Sequence, residues 1–192
     1  ANLSYTSISP TTITGTVDDS AATVTVNSIE AAVVNGSFSV ALPLAEGPNT
    51  TTPTAKSVAG AMGTATLTVT LDTTAPHVTV TSPQNQFATV DLSIDVTGII
   101  NDIVVGTVNP EQAGVTVNGV IAQVSNRTFL AGSVPLAIGP NVIQVMGRDR
   151  VGNQATTQVT VIREVPSAQA RIRVLSGSGQ SGPIRSVLPA AL

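Results

Sequence analysis

The residues of this chain that could do chemistry together are its carboxylates. Asp18-Asp19, Asp95, Asp102, Glu111 and Asp149 are the candidate oxygen donors. A calcium ion takes six to eight oxygens, usually with several carboxylates converging on one loop. No dense Asp/Asn/Gly loop is present, so a site would have to be assembled from distant segments. The places for it are the junction around Ala75-Pro76 and the inserted stretch between Gly98 and Gly114. The candidate calcium ligands are therefore Asp102, Glu111 and Asp149. Asp149 also has a simpler role open to it, an Asx-type bond to the backbone of its own hairpin.

Other chemistries lack their partners. The single histidine, His77, follows the junction proline, and the chain has no cysteine. A zinc centre or a nucleophile–base pair cannot be built from one imidazole alone. Serines are plentiful, but no Gly-x-Ser-x-Gly turn leads into a helix. No catalytic residue and no cofactor beyond calcium is expected, and the chain reads as a non-enzyme. Asn2, Asn35, Asn49 and Asn126 each open an Asn-x-Ser/Thr triplet. Such triplets arise easily in a chain rich in Ser and Thr, and turns explain Asn35 and Asn126.

Composition narrows the partners. Charged residues make up 10 % of the chain and mean hydropathy is +0.33, yet the apolar residues alternate with Thr, Ser and Asn instead of running together. No stretch reaches the roughly 18–20 apolar residues of a membrane-spanning helix, so no membrane insertion is expected. Residues 1–126 carry a net charge of −8 and residues 127–192 one of +5. The arginines of the basic end stand singly with no aromatic between them, which argues against nucleic acid. With no Trp and one Tyr, a stacking platform for sugars is poorly provided, so carbohydrate is a weak candidate.

The elements that must position these residues come in two copies, offset by about ninety residues. Pro43-Leu44 and Gly47-Pro48-Asn49 return as Pro135-Leu136 and Gly139-Pro140-Asn141. Val24-Thr25-Val26-Asn27 returns as Val115-Thr116-Val117-Asn118, and Phe38 as Phe129. A fixed period of this kind marks a structural unit copied along the chain. Within each copy, period-two alternation predicts strands, as in Ala65–Leu71 and Gln158–Val161. Asn35-Gly36 and Asn118-Gly119 predict tight hairpins. Pro110–Ala113 reads as either a short helix or a turn.

The junction Leu71-Asp72-Thr73-Thr74-Ala75-Pro76-His77-Val78-Thr79-Val80-Thr81-Ser82-Pro83 resembles that of bacterial tandem Ig-like domains. Arg148-Asp149-Arg150-Val151-Gly152-Asn153 resembles their late hairpin. With Val-Asn-Gly and Gly-Pro-Asn, the chain from about residue 12 to 164 is similar to the Ig-like modules exemplified by domain B of glucodextranase. The first copy departs from the pattern: Ser57 stands at the position of Asp149 and Ala61 at that of Asn153. The tail, with Ser176–Gly182 and Leu188-Pro189, resembles the opening of a further bacterial Ig-like domain of the invasin-associated kind.

The expected fold is all-β, with two tandem Ig-like Greek-key sandwiches at 1–74 and 75–165 and a partial third unit at 166–192. That third segment is either the start of another domain or a strand for a neighbouring molecule. The resemblance implies a fragment of a large secreted or cell-surface bacterial protein, serving as stalk, adhesin shaft or filament subunit. Its partners would be copies of itself or neighbouring Ig-like domains. The alternative is a non-catalytic accessory module of a secreted carbohydrate-active enzyme.

Overall fold

A computed structural model describes residues 2–102, 104 and 112–166. Glu111, residues 167–192 of the partial third unit and the first half of the Pro110–Ala113 stretch lie outside the described residues.

The first half contributes β1 (Asn2–Thr6), β2 (Thr11–Thr16), β3 (Thr23–Val26), β4 (Ile29–Val34), β5 (Ser37–Leu42), β6 (Gly47–Thr51), β7 (Pro53–Lys56), β8 (Met62–Thr64) and β9 (Leu67–Leu71). The second contributes β10 (His77–Ser82), β11 (Phe87–Thr89), β12 (Ser93–Asn101), β13 (Ala113–Val117), β14 (Val120–Ile121), β15 (Gln123–Ser125), β16 (Thr128–Pro135), β17 (Gly139–Asp149) and β18 (Gln154–Arg163). The predicted alternation is visible in the packing: in β5 every second residue, Phe38, Val40 and Leu42, is buried.

In the second sandwich, the sheet β10-β12-β16-β15 faces β11-β18-β17-β13-β14. Connections pass from one sheet to the other between β12 and β13, β14 and β15, and β16 and β17, the Greek-key way of closing two sheets on one core. Val96, Ile100, Val115, Phe129, Ile143, Val145 and Val161 fill the space between them. In the first sandwich β4 serves both sides: Ile29–Ala31 pair with β3, and Ala32–Val34 with β5. Ile13, Val24, Val26, Phe38, Val40 and Val69 make its core. The fold is all-β and Ig-like.

The repeated motifs turn out to be structural. Phe38 and Phe129 lie over Gly15 and Gly98, where a Cβ would collide with either ring. Asn35-Gly36 and Asn118-Gly119 form their hairpins with φ of 51° and 77°, and of 46° and 83°. In Gly-Pro-Asn the asparagine clamps the loop before its strand. Asn49 Oδ1 accepts the Ala45 N–H at 3.0 Å, and Nδ2 donates to Ala45 O and Gly47 O at 2.7 and 2.8 Å. Asn141 repeats this with Ala137 and Gly139, at 2.8, 2.8 and 2.9 Å.

Candidate functional site

β9 ends at Leu71, and the next residue, Asp72, begins the five-residue passage into the second sandwich. Its backbone N–H donates to Thr6 O at 2.9 Å, tying it to β1. Its carbonyl accepts from Asn153 Nδ2 at 2.9 Å, tying it to the late hairpin of the second sandwich. Held from both sides, the residue is fully buried (0 % exposed). One carboxylate oxygen, Oδ1, accepts the Thr74 N–H at 3.2 Å; the other, Oδ2, is buried with no hydrogen-bond partner.

Two carboxylates of the second sandwich meet it. Asp102 follows β12 and is 5 % exposed, with Oδ1 accepting the Val104 N–H at 2.9 Å. Asp149 ends β17 and is also 5 % exposed. Its Oδ1 accepts three backbone N–H groups, from Val151, Gly152 and Asn153, at 3.0, 2.7 and 2.8 Å. Its Oδ2 accepts from Asn153 Nδ2 at 2.7 Å. The Asx-type role read from the sequence is therefore present. Asp149 is in addition part of a cluster: one oxygen each from Asp72, Asp102 and Asp149 lie within 4.8 Å of one another.

Electrostatics follow from this crowding. Burial pushes the Asp72 carboxyl up to about 6, and the neighbouring charges of Asp102, Asp149 and Glu46 push the same way. The Thr74 N–H opposes them. Three buried carboxylates can share such a space by keeping a proton or by holding a cation.

The same junction is braced on its outside. Glu46 accepts from the Thr73 N–H and Oγ1–H at 2.9 and 2.8 Å and from Thr74 Oγ1 at 2.9 Å. The Thr73 hydrogen bonds hold its carboxyl below the ordinary value. Arg150 lies over the ring of Tyr5, 4.5 Å from its centroid, the geometry of a cation–π contact between the two sandwiches.

Of the residues singled out in the sequence, Asp102 and Asp149 come together, and Glu111 lies outside the described residues. Asp18 and Asp19 are exposed elsewhere, with Asp19 Oδ1 accepting the Ala21 N–H at 2.9 Å. Asp95 supports a bend in β16 by accepting the Ser133 N–H at 2.8 Å. His77 is exposed at the start of β10, its ring 3.4 Å from Thr79 Oγ1. Asp72 is the member of the cluster that the sequence does not single out, standing there only as part of the junction motif. The available signal was its place in the Asp-Thr-Thr-Ala-Pro junction, beside a hairpin whose aspartate the first unit lacks. In that unit Ser57 closes the equivalent turn, its Oγ accepting the Ala61 N–H at 3.0 Å, so the hairpin survives there without a carboxylate.

The sequence model of the family described as "Glucodextranase, domain B" matches residues 2–73 and again 76–165. No curated protein sequence matches the chain. Among solved structures it is similar to the fibronectin(III)-like modules of Clostridium thermocellum CbhA, at 10% identity and TM-score 0.45 over 90% of this chain and 94% of that one. It is also similar to protocadherin gammaB7 EC3-6, at 14% identity and TM-score 0.40, covering 88% of this chain and 47% of that one. For the tetra-tandem repeat in the extending region of a large adhesion protein the values are 20%, 0.36, 78% and 44%. Likeness at these identities carries no functional detail. No helix among the described residues is long and apolar enough to cross a membrane.

Proposed function

Because the chain belongs to the glucodextranase domain B family, in two consecutive copies, we propose that it is a structural and adhesive segment of a secreted or cell-surface bacterial protein, acting as a stalk, adhesin shaft or filament subunit. The observation that carries this reading is the braced junction. Asn153 reaches back to Asp72 O and Thr74 O, Glu46 holds Thr73 and Thr74, and Arg150 covers Tyr5. A short passage fixed by side chains from both sandwiches suits a part whose work is to hold reach and orientation. The domain limits taken here are 1–74 and 75–165, and no catalytic residue is assigned to either.

Its partners are copies of itself or neighbouring Ig-like units. The strands that end each sheet are rich in Thr and Val and carry few of the lysines and prolines that guard free edges. The second reading, an accessory module of a carbohydrate-active enzyme, is favoured by the family's name alone. One face of Tyr5, the one tyrosine, is covered by Arg150 and is not open to a sugar.

The purified chain tests both readings. The structural reading expects concentration-dependent self-association in light scattering, with no retention on insoluble polysaccharides and no turnover of glycosides, esters or peptides. Strict monomers at high concentration together with polysaccharide retention would favour the accessory module. Turnover abolished by a single Ser or Asp substitution would overturn both.

A further inference from the structure

We propose that Asp72, Asp102 and Asp149 bind one calcium ion, and that this ion locks the second sandwich to the end of the first. The inference goes beyond the stalk reading and stands or falls separately from it.

Three observations converge. The cluster's oxygens lie within 4.8 Å of one another. Calcium–oxygen distances are about 2.3–2.6 Å, so two ligands on opposite sides of one ion stand about 5 Å apart, and the three oxygens fit within a single coordination sphere. Second, the Asp72 Oδ2 is wholly buried and has no hydrogen-bond donor, although burying an unpaired carboxylate oxygen beside two further carboxylates is costly. A bound cation satisfies such an atom. Third, the cluster holds only oxygen donors. With no cysteine in the chain and His77 engaged with Thr79 on β10, the donor set suits a hard cation and not zinc or copper. Backbone carbonyls and water would complete the sphere.

The ligands' positions give the ion its consequence. Asp72 is fixed to β1 through Thr6 O, whereas Asp102 follows β12 and Asp149 ends β17, strands in opposite sheets of the second sandwich. An ion shared by all three joins one end of the first sandwich to both layers of the second. The first unit has Ser57 where Asp149 stands, and among the described residues such a cluster is built once.

Calorimetric titration of the full chain, stripped with chelator, with calcium chloride tests this. The expected result is one calcium per chain, saturating within the roughly micromolar-to-millimolar range of oxygen-ligand sites. Asp72→Asn and Asp102→Asn should each weaken binding about tenfold or more, and Asp95→Asn, outside the cluster, should leave it unchanged. Because Asp149 also holds its hairpin, it is left intact. In chelator, Asp72→Asn should melt no lower than the parent, since it removes like-charge repulsion, and should lose the calcium-induced rise in Tm. No calcium uptake at several millimolar would overturn the proposal, as would full uptake by both Asp variants. Equal affinity for magnesium would overturn the assignment to calcium.

Discussion

Asp72 makes a pH-dependent contribution to the stability of the molecule. Its carboxyl is raised from 3.8 to about 6 by burial first, then by the charges of Asp102, Asp149 and Glu46. The folded chain therefore holds this proton more tightly than the unfolded chain does. Its contribution to stability is fully present below about pH 4 and is lost as pH climbs through 6. With calcium chelated, the difference in Tm between Asp72→Asn and the parent should widen in favour of the variant from pH 4 to 7, as thermal melts read by circular dichroism would show. Glu46, whose carboxyl lies below the ordinary value, acts in the opposite sense at lower pH, so the comparison with the variant isolates Asp72. The Gly-Pro-Asn motif gives a second prediction. Asn141→Ala removes the acceptor for Ala137 N–H and the donor to Ala137 O and Gly139 O. Several backbone groups at a half-buried loop lose their partner together, so about 2–3 kcal/mol of stability should go in denaturant unfolding. A loss under about 0.5 kcal/mol would show that water replaces the clamp.

Between elements, the first copy has no counterpart of β10 among the described residues. In the second sandwich β10 pairs with β12, so a Cβ at Gly98 would meet both the Phe129 ring and the backbone oxygen of Thr79. In the first, no described strand pairs with the outer edge of β2, and a Cβ at Gly15 meets only the far end of the Phe38 ring. A ring can swing aside, whereas the backbone of a paired strand cannot. Gly98→Ala should therefore cost more than Gly15→Ala, by about 1–3 kcal/mol in unfolding measurements, and equal costs would contradict the packing described here. Much of this level was legible in the sequence. Alternation in Ala65–Leu71 and Gln158–Val161 placed strands, Asn-Gly placed the hairpins, and Phe38 and Phe129 proved equivalent. These signals are local, carried by a side-chain period of two or by a demand for positive φ. The switch of β4 between two partners was not legible, because pairing there depends on which neighbours the rest of the chain supplies.

In the whole molecule, the junction is where the two sandwiches are joined. Its braces join residues far apart in sequence: Asn153 to Asp72, Arg150 to Tyr5, and Glu46 to Thr73. That separation explains why one of the three carboxylates of the candidate site escaped the sequence reading. Asp149 and Asp102 could be named from their loops, but nothing in their spacing brings Asp72 beside them until two sandwiches are stacked end to end. The central claim is that this junction holds the sandwiches in one fixed relation. Small-angle X-ray scattering on the full chain in calcium, with Asn153→Ala beside it, measures this most directly. The parent profile should be fitted by a single arrangement of the two sandwiches, and the variant, which loses the bridge to Asp72 O, should require a broadened set of arrangements. A parent profile that demands a wide ensemble, indistinguishable from that of the variant, would contradict the claim.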